Sequence, residues 1–184
     1  MKTYISILRG INVSGQKMIK MPELIKMYES LNFKKVKTYI QSGNVIFQDK
    51  KTNCPDLEKK ISKQISIDFH FEVPVLVKEE KELITVLKNN PFLNKRKEDV
   101  TKLHVTFLSK EPELADLEKI KNGSYNGDEY IFFGKTIYLF CPNGYGRTKL
   151  TNNFFENKLK VVASTRNWNT INKLVEIAEN TGKE

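Results

Sequence analysis

Twice along this chain of 184 residues the apolar pattern alternates between strand and helix periods in nearly the same order. The first pass runs from a β-branched and aromatic strand at 3–9 through the loop Gly10–Lys20. It continues into a helix opening at Pro22, with Met21, Leu24, Ile25, Tyr28 and Leu31 on one face. Val36–Ile40 and Val45–Gln48 read as a hairpin through Ser42-Gly43-Asn44. A second helix from Pro55 repeats Leu57, Ile61 and Ile65, and Val73–Lys78 closes the series ahead of a short helix marked by Leu83, Ile84 and Leu87. This β-α-β-β-α-β order is that of the split βαβ unit.

After the polar stretch Asn89–Thr101 the pattern begins again. Leu103–Leu108 is a strand, and Pro112 opens a helix with Leu114, Leu117 and Ile120 facing inward. Tyr130–Phe133 and Thr136–Phe140 form a hairpin turning at Gly134-Lys135. Leu150, Phe154, Phe155 and Leu159 share a helix, Val161–Ala163 is a short strand, and a last helix from Trp168 carries Ile171, Leu174, Val175 and Ala178. The expected fold is α+β: a tandem pair of ferredoxin-like βαββα-type halves with antiparallel or mixed sheets. They would span 1–92 and 100–184, with a linker near 93–99.

Composition narrows the function classes. The chain is too apolar for disorder, at 39% hydrophobic residues. No apolar run approaches the roughly 20 residues that span a bilayer. Arg9 interrupts the first strand before a signal-peptide core can form. Cys54 and Cys141 have no CxxC partner, which fits free thiols in a reducing cytoplasm. His70 and His104 are isolated from other metal-ligating residues, so neither a zinc site nor any other cofactor is expected.

A net charge of +9 favours anionic partners, although lysine scattered over a solvated surface would give the same number. Arginine is more selective, because its planar fork suits a phosphate. The chain has four: Arg9, Arg96, Arg147 and Arg166. Three of them lie in polar segments rich in glycine and asparagine. Arg9-Gly10-Ile11-Asn12-Val13-Ser14-Gly15 leaves the first strand. Gln41-Ser42-Gly43-Asn44 turns the first hairpin. Gly144-Tyr145-Gly146-Arg147-Thr148-Lys149-Leu150 runs toward a helix, and Ser164-Thr165-Arg166-Asn167-Trp168 precedes the last one.

Through RGINV, TYIQSGNVIF, GYGRTKL and TRNWNT the sequence resembles domain-of-unknown-function family 1697. Ser14 stands where the family usually has glycine. The resemblance implies an α+β fold of two related halves and brings no activity, substrate or catalytic residue.

The residues themselves make Gly144, Gly146, Arg147 and Lys149 the leading ligand candidates. Glycines free backbone N–H groups, Thr148 could cap the following helix, and a helix N-terminus favours an anion. The spacing is not that of a Walker loop. Asn167 could cap the last helix, beside Arg166 and a Trp168 that either offers a stacking face or anchors the core. Arg9 and Asn12, equally suited to a plain loop, and Ser42 and Asn44, which an ordinary hairpin turn already explains, complete the set. The expectation is a binding protein for a phosphate-bearing ligand, nucleic acid foremost. A small enzyme on a nucleotide or phosphorylated metabolite and a protein interaction module remain as alternatives. No membrane partner is expected.

Overall fold

The computed structural model describes residues 1–50, 52–121 and 123–183; Lys51, Asn122 and Glu184, which fall within the expected halves, lie outside the described residues. Contacts divide the chain into two compact units, 1–84 with 173–184, and 85–172.

The first unit contains β1 (Lys2–Leu8), α1 (Met21–Ser30), β2 (Lys34–Tyr39), β3 (Asn44–Asp49), α2 (Cys54–Phe69), β4 (Val75–Glu79) and the start of α3 (Glu80–Lys88). Its sheet has the order β2-β3-β1-β4, and each neighbouring pair is antiparallel. Local chemistry sets the helices. Pro22 and Glu23 occupy the first turn of α1, which buries Leu24, Met27 and Tyr28. Asn53 Oδ1 accepts the Asp56 N–H at 2.9 Å to cap α2, and a left-handed His70 ends it. One face of the sheet packs Tyr4, Leu8, Val45, Phe47 and Val77 against those helices. Within this core Phe33 and Phe47 lie 4.5 Å apart between ring centroids, and the buried Tyr28 hydroxyl meets Ser6 Oγ at 2.7 Å. Burial and ring contacts supply the stabilisation, and the hydroxyl pair leaves neither polar group orphaned.

The second unit repeats this plan. After α4 (Pro91–Arg96) come β5 (Leu103–Leu108), α5 (Leu114–Lys121), β6 (Glu129–Phe133), β7 (Thr136–Phe140), α6 (Asn152–Leu159), β8 (Ala163–Asn167) and the first residues of α7 (Trp168–Lys183). Its sheet order is β6-β7-β5-β8, antiparallel throughout. The equivalence extends to single residues. Ser6 faces Val45 and Val77 in the first sheet, as Thr106 faces Ile137 and Thr165 in the second. Leu8 N–H donates to Gly43 O at 2.8 Å, and Leu108 N–H to Lys135 O at 2.9 Å. The α+β pair of split βαβ sheets matches the expectation, with the sheets antiparallel and not mixed.

Several local expectations need correction. Residues 91–96 of the polar stretch form a helix, because Asn90 Oδ1 accepts the Phe92 N–H at 3.0 Å and Pro91 follows as a helix starter. The division between units falls inside α3 and α7, not in that stretch. Leu114 is 82% exposed and not inward, since α5 begins there and buries Ile120 instead. The strand expected at Val161–Ala163 runs at Ala163–Asn167, paired along β5, so Arg166 sits in a strand and not in a loop.

Candidate functional site

The candidate residues are shared between the units: Arg9, Asn12, Ser42 and Asn44 in the first, and Gly144, Gly146, Arg147, Lys149, Arg166, Asn167 and Trp168 in the second.

In the first unit β1 ends beside the start of β3, with Ile7 opposite Asn44. That pairing brings the loop after β1 against the β2–β3 turn. Asn12, at φ 53°, holds them together. Its Nδ2 donates to Ile19 O at 3.0 Å and Gln41 O at 2.9 Å, and its Oδ1 accepts the Ile19 N–H at 2.8 Å. Gly43, at φ +78°, passes so close to Leu8 and Ile11 that only a hydrogen fits in place of a side chain. Asn44 is fully buried, and its Nδ2 donates to Ser42 Oγ at 2.9 Å and Tyr39 O at 3.2 Å. Arg9 is half-buried, and its N–H donates to Pro74 O at 2.9 Å. Beside Asn12 and Gln41 lies a groove of about 560 Å³, lined also by Met18, Ile19, Met21 and Pro22. Asn12 and Asn44 therefore aim their amide N–H groups into the protein, as braces.

In the second unit the end of β7 meets the start of β5, with Phe140 opposite Leu103. Gly144, at φ +87°, turns the chain into a single 3-10 turn at Tyr145–Arg147. Thr148 does not cap α6, contrary to expectation. It is buried, its Oγ1 accepts the Leu150 N–H at 3.0 Å, and Thr151 Oγ1 caps the helix through Phe154 N–H at 3.2 Å. Two threonines stand near the helix start, and the nearer one takes the cap. The turn is thus separated from the helix N-terminus, whose dipole falls off within its first turn. What the turn presents is cationic: the Arg147 and Lys149 side chains are exposed and, among the described residues, have no hydrogen-bonding or ionic partner, while the Arg147 N–H closes the turn onto Gly144 O at 3.1 Å.

The other arginines are engaged. Arg96 forks onto Glu129 at 2.7 and 2.9 Å, and Arg166 Nη1 donates to Ser164 Oγ at 3.0 Å and Thr165 O at 2.9 Å. Asn167 Oδ1 accepts the Thr170 N–H at 2.7 Å and caps α7, as its sequence position suggests. Trp168 is 5% exposed, which removes the expected stacking face: the first residue of α7 points into packed protein.

One residue that sequence spacing dismissed belongs to this cluster. His104 lies opposite Asn167 in the sheet, and its ring stacks on Tyr145 at 4.7 Å. It is 8% exposed, its Nδ1 has no hydrogen-bond partner among the described residues, and burial pushes its pKa below the ordinary histidine range. Nearby, burial pushes the Cys141 thiol up to about 11, far from a reactive thiolate. No sequence signal pairs His104 with Tyr145, because a lone histidine in a strand has no characteristic spacing.

A family model described as protein of unknown function (DUF1697) matches residues 1–138. The chain belongs to this family. The matched region includes the loop after β1 and the Gly43 turn, while the 144–149 turn and the β8–α7 junction lie beyond it. Among solved structures, a conserved bacterial protein from Streptococcus pneumoniae is similar at a TM-score of 0.75. It shares 22% identity, over 96% of this chain and 98% of that one, which shows a shared fold. No curated protein matches the chain. Among the described residues no helix is long and apolar enough to cross a membrane.

Proposed function

We propose that this family member binds a phosphate-bearing ligand on the open face of the 144–149 turn, with nucleic acid the class that fits best. One observation carries the reading: Arg147 and Lys149 stand two residues apart, exposed and, among the described residues, without acidic partners, on a chain of net charge +9. Gly146 between Tyr145 and Arg147 has open space where a Cβ would stand, so a phosphate can approach the backbone closely. The ligand would be met in the cytoplasm, a placement supported by two cysteines that stay free. A small enzyme on a nucleotide or phosphorylated metabolite is the second reading. It is favoured by the unpartnered Nδ1 of His104 beneath Tyr145 of the same turn.

Binding of a mixed oligonucleotide and nucleotide panel over a salt series tests both. Each phosphate contact contributes a slope of roughly −0.9 on duplex DNA or −0.7 on single strands to log affinity against log salt. Arg147→Ala is expected to lower affinity and flatten that slope by about one contact, while Lys59→Ala on α2 does much less. Equal losses at the two positions would mean diffuse attraction to a basic surface and end the localised reading. No binding at low salt by folded protein would remove nucleic acids and nucleotides together. Turnover of a bound nucleotide, lost in His104→Gln with binding retained, would establish the enzyme.

A further inference from the structure

We infer that β6 is the strand through which this chain pairs with a second copy of itself, edge to edge and antiparallel about Ile131. β6 ends the second sheet, with β7 on one side and, among the described residues, no strand on the other. The ladder shows which of its backbone groups are open. Cys141 N–H donates to Lys102 O and Leu108 N–H to Lys135 O, so odd-numbered residues of β7 bond toward β5. Thr136, Tyr138 and Phe140 then bond toward β6, to Phe133, Ile131 and Glu129. Between them the N–H and C=O groups of Tyr130 and Phe132 point out of the sheet. Among the described residues nothing bonds them.

The equivalent edge of the first sheet is defended against strand addition. There β2 carries Lys34, Lys35 and Lys37, with a bulge between Lys34 and Lys37. β6 reads Glu129-Tyr130-Ile131-Phe132-Phe133, without lysine or proline, and pairs with β7 in unbroken register. Its one charge, Glu129, is held by the Arg96 fork. On the face that Glu129 shares, Ile131 is 41% and Phe133 59% exposed. α4 covers Phe140 on that face through Phe92, at 5.9 Å between ring centroids, and leaves these two bare.

The second copy is the occupant because the strand complements itself. A two-fold axis at Ile131 sets Tyr130 opposite Phe132 of the second copy, and Phe132 opposite its Tyr130. Every outward group is then used, in two hydrogen-bonded pairs of two bonds each. A register displaced by two residues would pair Tyr130 or Phe132 with itself and leave the other facing a residue outside the strand. Ile131 meets its own copy at the closer, non-hydrogen-bonded spacing. Phe133 lands beside Glu129 of the second copy, whose carboxylate Arg96 neutralises. That guanidinium already lies 5.6 Å from the Phe92 ring centroid and 5.5 Å from that of Phe140, so Phe133 adds a third aromatic neighbour. Strands this short make a small interface, so the pair is weak and reversible.

The test is sedimentation and amide exchange of the full chain from about 10 µM to about 1 mM. The mass should rise from one chain toward two. Exchange of the Tyr130 and Phe132 N–H groups should slow at least about threefold at the upper end, and that of Ile131, already bonded to β7, should change less. Ile131→Lys and Ile131→Glu each set like charges across the axis and should stay monomeric, with unfolding temperatures close to wild type. Their equal mixture should associate again, because Lys meets Glu only in this register. A wild-type chain that stays monomeric to about 1 mM would overturn the proposal and leave the edge to a strand of another protein. A dimer that persists in Ile131→Lys, or one that forms without slowing the Tyr130 and Phe132 amides, would place the contact elsewhere and overturn it too. A mixture no more associated than its parts would overturn the two-fold pairing about Ile131.

Discussion

The two units share strand order and, apart from a bulge in β2, register, yet each lengthens a different connection. In the first, residues 9–20 join β1 to α1 and only 50–53 join β3 to α2. In the second the lengths reverse, with 109–113 after β5 and 141–151 after β7. Strand pairing puts these long loops at non-equivalent ends of the two sheets: one beside the start of the third strand, the other beside the start of the first. The consequence reaches the side chains. Asn12 in the first loop braces the backbone, while the Arg147 and Lys149 side chains in the second are left to solvent. Two long polar loops on one fold plan therefore do opposite physical jobs, and the difference is set by which loop is pinned.

The largest effect that could break this comparison comes from its glycines. A Cβ at Gly43 would lie 2.7 Å from Leu8 Cβ and 2.9 Å from Ile11 Cδ1, at φ +78°. Gly43→Ala combines overpacking with a left-handed backbone and should cost about 3 kcal/mol. Gly146 meets nothing within 4 Å, so Gly146→Ala should stay within about 0.5 kcal/mol. Urea unfolding of the two variants compares them directly. Similar losses would mean that the second turn is as constrained as the first.

Asparagine sharpens the contrast at smaller scale. Asn12→Ala removes three side-chain bonds and strands the Ile19 N–H and two carbonyls, a loss of about 2 kcal/mol. Asn167→Ala removes one cap bond to Thr170 and should cost about 1 kcal/mol. Thermal and urea midpoints measured together would show the order. A reversed order would make the α7 cap, and not the first loop, the main polar brace.

Much of the plan was legible because it rests on periodicity. Leu57, Ile61 and Ile65 announce α2, and all three are buried; Leu103–Leu108 is a strand within the bounds its residues suggest. The misreadings share a cause: they turn on which of several chemically similar residues wins a local bond. Thr148 and Thr151 both offer a hydroxyl near α6, and only three-dimensional position decides that Thr151 caps it. Asn90-Pro91 is a helix-start signal that was available but hidden in a charged stretch. Trp168 satisfies the pattern of either a stacking face or a core anchor, and burial settles it. The meeting of the loop after β1 with the β2–β3 turn was beyond local reading, because Asn12 and Gln41 bond across 29 positions of sequence.

The smallest expected effect compares equivalent positions in the two sheets. Tyr4 and His104 occupy the same place, opposite Phe47 and Glu79 in one case and Leu139 and Asn167 in the other. The Tyr4 hydroxyl donates to Thr52 O at 2.7 Å, whereas His104 Nδ1 is buried without a partner. Burial holds the folded imidazole below its unfolded pKa, so the unfolded chain takes up the proton first as pH falls. Stability should therefore decline as pH drops below the ordinary histidine value of about 6.5, until the folded form also titrates. His104→Phe keeps a ring against Tyr145 and removes the titrating group. Glu80, whose pKa is raised chiefly by burial, also titrates on the acid side, but it is present in both proteins and cancels in their difference. Urea midpoints of both proteins from pH 8 to about pH 5 should show the variant losing the histidine part of the decline. Parallel curves would mean that folding leaves the His104 proton affinity unchanged, and its place beneath the cationic turn would then have no electrostatic consequence.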